Sequence, residues 1–256
     1  TLAQITNEFH ANEGYLNVAL RVLASQGFLK YEVDNASGNV TISTLPISEF
    51  AFSLVPIYED TYQLLTQTSV FTANKMDVDS IALLEPILKK FTENYHIHFE
   101  EDENLRTIQE QMLTHIEGYL VGPIVVNLGM TGMFHKYFME SSFRADEFHK
   151  HPEAFAKILD FFVHLGWFSK KKDNYQFTED GFFFAKRASA YGVTVSYLPM
   201  FKHIDSLLFG NASELRNISK NEDEIHVNRE MNVWGSGGAH ATYFRVIDDI
   251  IIELFK

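Results

Sequence analysis

Val22-Leu-Ala-Ser-Gln-Gly-Phe-Leu29 decides the fold, because its pattern returns at Phe161-Phe-Val-His-Leu-Gly-Trp-Phe168. In both stretches an apolar segment meets a glycine and then two large apolar residues. Leu16, Ala19, Leu20 and Leu23 precede the first glycine at helical spacing, one stripe of an amphipathic helix. Gly27 then caps that helix, where a left-handed backbone is needed, and Phe28 and Leu29 anchor the exit. Lys30–Val33 and Val40–Ser43 alternate like short strands around Asp34-Asn-Ala-Ser-Gly-Asn39. The later copy has its charged turn at Asp173-Asn174 and its returning strand at Tyr175-Gln-Phe-Thr178, with Thr178 opening another helix. Helix, helix, glycine, hairpin is the order of a winged helix.

The expected fold class is mainly α, with tandem winged-helix-like units and a helical region between them. The chain divides into a winged-helix-like unit over 1–45, a helical region over 46–145 and a second winged-helix-like unit over 146–195. A helical segment with a Gly-rich loop follows over 196–256. In the middle region Leu83, Leu84, Ile87, Leu88 and Phe91 mark one helix, and Ile108, Met112, Ile116 and Leu120 mark another. Gly118, Gly122 and Pro123 are expected to interrupt or bend the latter before the apolar run from Ile124 to Met133. Gly129, Thr131 and Gly132 in that run fit close helix packing, and they fit equally the lining of a narrow channel for a long, thin substrate. Residues 196–218 read as one amphipathic helix, and Lys220–Glu224 as a charged loop.

Composition narrows the function. With 46 % hydrophobic residues and 23 Phe the chain is globular. Cysteine is absent, which excludes disulfides, thiolate metal sites and cysteine nucleophiles and permits a reducing cytoplasm, the expected location. A formal charge of −13 argues against nucleic acid or an anionic membrane as partner. No apolar run is long enough for a membrane span. The first helix–hairpin unit sets Arg21 and a few amides against Glu13, and the second sets Lys157 against Glu153 and Asp160. Only Lys170-Lys171-Lys172 is basic, so the units read as structural or dimerising rather than groove-reading. Thr1 reads as a cut from something longer.

Chemistry concentrates in Asn228-Arg-Glu-Met-Asn-Val-Trp-Gly-Ser-Gly-Gly-Ala-His-Ala-Thr-Tyr-Phe244. The glycines read as a turn opening into a helix whose free N–H groups would face an anion or a carbonyl. His240 and Tyr243, three residues apart, would share a face of that helix. Histidine is the usual general base near neutrality, so His240 is a candidate base, substrate donor or metal ligand, against the alternative of a capping or core histidine. Ser236 lacks the strand-turn-helix setting of a hydrolytic nucleophile. His96-Ile-His98 with Glu100 and Glu101 offers metal donor types on an expected strand, but spacing fixes no third ligand. His149 and His151 read as surface residues without a chemical role.

His240-Ala-Thr-Tyr-Phe244 and the following Val246-Ile-Asp-Asp-Ile-Ile-Ile-Glu-Leu-Phe255 resemble the segment just before the cofactor core of certain S-adenosylmethionine-dependent C-methyltransferases. These belong to bacterial, notably cyanobacterial, polyketide synthase loading modules of the GNAT type. The resemblance implies that the chain forms the N-terminal lid of such an enzyme, with a cofactor-binding core beginning soon after Lys256. It implies methyl transfer to the alpha carbon of a malonyl or methylmalonyl group on an acyl carrier protein, with other polyketide synthase domains as further partners. It also implies divalent iron or manganese, which makes His240 a metal or substrate contact. Tyr243 follows as a second catalytic candidate. Ser236 and Arg229, close in sequence, are substrate-binding candidates, as are Thr131 and Tyr119. No Gly-x-Gly-x-Gly follows a strand, so the chain lacks the usual cofactor loop. The competing reading is a noncatalytic carrier-protein docking adaptor or a winged-helix regulator.

Overall fold

The computed structural model describes residues 1–66, 76–136, 142–216 and 224–256. The expected charged loop at Lys220–Glu224 lies, Glu224 apart, outside them. Among the described residues the fold is mainly helical, with two separate two-stranded antiparallel sheets.

The first unit comprises α1 (Leu2–Phe9), α2 (Glu13–Ser25), β1 (Leu29–Val33) and β2 (Val40–Thr44). The second comprises α8 (Pro152–His164), β3 (Phe168–Lys171) and β4 (Asn174–Phe177). The glycine signature works the same way in both. Gly27 and Gly166 adopt φ of 79° and 78°, a region closed to most side chains. The chain reverses there so that Phe28 N donates to Leu23 O at 3.0 Å and Trp167 N to Phe162 O at 2.9 Å. These are the wide bonds of a glycine-capped helix end, and they satisfy carbonyls the helix leaves open. Thr178 caps α9 (Glu179–Ala185), its hydroxyl accepting from Gly181 N at 3.1 Å.

Burial separates the two units. In α2 only Leu16 is buried, whereas α8 buries Phe155, Ile158, Leu159, Phe161 and Phe162. The second hairpin also gains a partner: Phe143 and Tyr175 exchange backbone hydrogen bonds at 2.8 Å. Phe143, Phe168, Tyr175 and Phe177 pack ring to ring, and Trp167 stacks on Phe184 with centroids 4.3 Å apart. Much of the phenylalanine content serves this core. At its edge Asp160 receives both Lys170 Nζ at 2.6 Å and Tyr175 OH at 2.8 Å, which ties the second wing to α8.

Between the units lie α3 (Ser48–Ser53), α4 (Glu59–Thr66), α5 (Val78–Thr92), α6 (Glu103–Met130) and the short α7 (Met133–Lys136). The helix α6 is not interrupted at Gly118, Gly122 or Pro123; it runs on as one element. Proline removes a donor, but every residue from Leu120 to Gly129 is buried, and a helix apolar on all sides is held by its surroundings. Asn127 Nδ2 donates to Pro123 O at 2.9 Å across the same turn.

Two further expectations are corrected. Residues 196–218 are not one helix. They form the end of α10 (Ala188–Ser196), then α11 (Leu198–Phe201), α12 (Ile204–Phe209) and a 3-10 turn at Ala212–Arg216. Pro199 starts α11, and the extended backbone of Gly210 stops α12. His96 and His98 do not alternate on a strand, because Asn94, Tyr95 and His96 form a turn with φ near 50° at each.

The last helix, α13 (Arg229–Leu254), runs straight through Gly235, Ser236, Gly237 and Gly238. The Gly-rich loop is therefore a helix, and the reason is steric. A Cβ on Gly235 would lie 2.7 Å from Val193 N and 2.8 Å from Gly192 C, and one on Gly192 would lie 2.8 Å from Gly235 Cα. The two glycines allow α13 and α10 to touch backbone to backbone. Ser196 fixes that contact by accepting from Asn228 N at 2.8 Å and from Asn232 Nδ2 at 2.9 Å.

Candidate functional site

Two places hold the sequence-derived candidates. The first is a cavity of about 580 Å³ between the start of α5, the end of α6 and residues 148–155. Thr131 lines it, and the Thr131 hydroxyl donates to Leu128 O at 3.0 Å. Leu128, Met133 and Phe155, each under 5 % exposed, form apolar lining. Asp77, Asp79, Asn127, His149, Lys150 and His151 supply the polar part. Asp77 caps α5, accepting from Ser80 N at 2.7 Å, and the Ser80 hydroxyl first and then this backbone bond hold its carboxyl below the usual range, with His149 adding a smaller pull.

His149 is an organising wall of this cavity, not a surface residue without a role. Its Nε2 donates to Met76 O at 2.6 Å, and in the neutral ring Nδ1 accepts from His151 N at 3.0 Å. The ring stacks on Phe155 with centroids 5.4 Å apart. It thereby braces the segment after Phe148 against the start of α5. Sequence reading missed His149, Asn127, Met133 and Phe155 as cavity residues. The channel option raised for the Gly129–Gly132 stretch was the one signal pointing here.

The second place is α13. His240 lies on its exposed part, with ring contacts to Tyr243 and Phe244 at 6.3 and 6.1 Å. Tyr243 is 68 % exposed. Ser236 is half-buried and donates to Val233 O at 3.3 Å. Arg229 is engaged in a bidentate pair with Glu224, Nε to Oε2 at 2.6 Å and Nη2 to Oε1 at 2.5 Å, which raises the guanidinium pKa and lowers that of the carboxyl. Tyr119 sits apart from both places, packed against the main core, where burial pushes its phenol up. It stands about 18 Å along α6 from Thr131. The two places approach where α6 and α13 cross: a Cβ on Gly129 would lie 3.0 Å from the Trp234 ring.

From Tyr243 to Leu254, α13 is exposed on every side. Tyr243, Phe244, Val246, Ile247, Ile250, Ile251 and Leu254 nevertheless occupy one half of its circumference. Arg245, Asp248, Asp249 and Glu253 take the other half, with Ile252 among them. His240 heads the apolar half, one turn before Phe244 and two before Ile247.

A metal ion finds no ready set of ligands in the described residues. No group of three or more His, Asp or Glu among them is placed to hold a metal ion. Of the glycines before His240, Gly235 is taken up by the crossing with α10, whereas a Cβ on Gly237 would meet nothing within 4 Å.

What this architecture defines is a mainly helical, winged-helix-bearing protein with an apolar cavity and a half-naked last helix. Three family models fit that outline: residues 117–211 match the AprA winged helix domain, 1–31 the AprA N-terminal domain and 224–256 the AprA MT2-like domain. No curated protein matches the chain. The three matches support an AprA-like, methyltransferase-related region, with the methyltransferase likeness resting on α13 and the few residues before it.

Proposed function

We propose that the chain is the lid and substrate-handling part of a longer S-adenosylmethionine-dependent C-methyltransferase. It would act on a malonyl or methylmalonyl group carried by an acyl carrier protein within a polyketide synthase. The observation that carries the reading is α13. Its first half is built into the helical body, its second half presents an uncovered apolar face, and the whole helix falls within the stretch similar to a methyltransferase domain. An Ile, Leu or Phe side chain contributes about 1.5–3 kcal/mol on full burial. Seven such faces in one row call for a covering body, and a cofactor-binding core is the body this likeness supplies.

In this reading His240 and Tyr243 stand at the seam between lid and core. A histidine there is suited to move a proton or to hold a substrate oxygen. The cofactor would supply the methyl group, and the core would hold it together with any iron or manganese. The described residues themselves offer no set of ligands for a metal.

The test is methyl transfer by the intact parent protein, given cofactor, iron or manganese, and malonyl-loaded carrier protein, followed by mass spectrometry of the carrier arm. The expected result is one added methyl group, lost or strongly slowed by His240→Ala. An intact parent that binds the loaded carrier but never methylates it would instead establish the docking-adaptor reading.

A further inference from the structure

The second wing has an outer face as well as the face that builds the core. In its antiparallel hairpin Ser169 pairs with Gln176 and Lys171 with Asn174, so these four side chains leave the sheet on the side away from Phe168 and Phe177. Phe143, hydrogen-bonded to Tyr175, brings Ser142 to the same side. Together with Lys172 from the turn, they line an open groove of about 360 Å³. We infer that this groove binds the phosphate monoester of a small molecule, a role that does not depend on methyl transfer.

Charge and donors argue for the phosphate. Every side chain of the lining can donate a hydrogen bond, and no carboxylate lines the groove, although the chain holds 34 Asp and Glu. Lys170 belongs to the other face and is spent on Asp160, whereas Lys171 and Lys172 form no ion pair among the described residues. The acid of the turn, Asp173, does not line the groove; its charge acts on Arg144, which is already held by Asp146. Two uncommitted ammonium groups match the charge of about −1.5 to −2 on a phosphate monoester at neutral pH. A carboxylate or a phosphodiester brings a single charge and gains less from the pair.

Lys172 adds an independent observation. It adopts φ of 54° in the two-residue turn of the hairpin, a position that favours glycine or asparagine. Lysine carries a backbone cost there that glycine would not, and what it contributes in return is an ammonium group at the groove. The volume lies at the small end of small-molecule sites, which leaves room for a short carbon substituent beside the phosphate.

The experiment follows the backbone amide signals of the isotope-labelled chain by NMR at low ionic strength, where screening is weakest. Glycerol 3-phosphate, inorganic phosphate, dimethyl phosphate and a short DNA duplex are titrated separately. Saturable shifts centred on Ser142 and residues 169–176 are expected with glycerol 3-phosphate, and dimethyl phosphate should bind about fivefold more weakly or worse. Lys171→Gln and Lys172→Gly should each weaken the ester by about threefold or more. Glycine suits the turn, so Lys172→Gly should melt at the same temperature or higher, which separates lost binding from lost folding. Lys30→Gln, the same charge change on the first wing, should leave the affinity unchanged. Absence of saturable shifts at the hairpin would overturn the inference, and so would equal binding of the diester. Binding that survives the double variant Lys171→Gln, Lys172→Gly would overturn it as well. Tighter binding of inorganic phosphate would assign the groove to the free ion, and tighter binding of the duplex would make the wing a nucleic-acid contact; either result rules out the ester.

Discussion

The two halves of α13 are one unbroken helix in two different environments. Up to Ser236 it lies against α10 and α6 so closely that Gly235 and Gly192 touch through their backbones and Trp234 covers Gly129. Beyond His240 it leaves the body, and its apolar face has no cover among the described residues. On the proposed function the helix is a strut shared between two bodies, this chain and the methyltransferase core that would cover its outer half. Glycines and small contacts define its inner half, and large aliphatic side chains define its outer half. Mutations should therefore act on stability in one half and on function in the other.

The largest effect is expected from Gly235→Val. A side chain there meets backbone atoms of Gly192 and Val193 that cannot step aside. Loss of about 3 kcal/mol or more in chemical denaturation is expected, at the upper end of overpacking effects. Stability unchanged within error would mean that the halves are not distinguished as described. Gly129→Ala should cost less, about 1–2 kcal/mol, because the Trp234 ring and the Ala188 methyl that it meets at 3.0 and 3.1 Å are side-chain atoms able to shift. Ile247→Glu and Ile251→Glu should change the stability of this chain by no more than about 0.5 kcal/mol, since both side chains are exposed. In the intact parent the same variants should abolish methyl transfer and cause unfolding or dissociation of the covering body. Destabilisation of the chain itself by either glutamate would show that the outer half is already packed.

The smallest effect concerns His115 and sharpens the comparison with the first winged unit. His115 bridges Tyr58 OH at 2.9 Å and Gln26 Oε1 at 3.0 Å, joining α6 to the end of α2. Burial lowers its pKa, so the folded state binds a proton less readily than the unfolded chain. Its contribution is present above the unfolded value of about 6.5 and is lost as pH falls through the lowered folded value. Acid titration of the melting temperature should show a slightly steeper loss below neutrality in the native chain than in His115→Gln. Identical profiles would remove the bridge from the account.

The repeated helix–glycine–hairpin was legible in the sequence because it is a local requirement. A left-handed residue after a helix calls for glycine wherever the helix sits, and Gly27 and Gly166 both answer it. The unequal burial of the two copies was not legible, because it depends on Phe143 arriving from outside the repeat. Gly235 misled for a related reason. Glycine serves a loop and a close helix crossing equally well, and the partner that settles the matter, Gly192, lies far away in sequence. Pro123 does not interrupt the helix, although propensity allows a break there, because burial of the surrounding turns holds it together. Of the candidate site residues, Thr131 came to line a cavity and His240 with Tyr243 came to share a face. Arg229 was drawn into an ion pair with Glu224, and Tyr119 into the main core. His149 was overlooked, since its importance comes from Met76 and Phe155, neither of which its sequence neighbourhood reveals.

Amide hydrogen exchange along α13, measured in the intact parent and in this chain, tests the central claim most directly. Residues 230–236 should be protected in both, and residues 243–254 should be protected only in the parent, where the proposed methyltransferase core would cover them. Rapid exchange over residues 243–254 in the parent as well would leave that face uncovered, and the shared-strut account would be wrong.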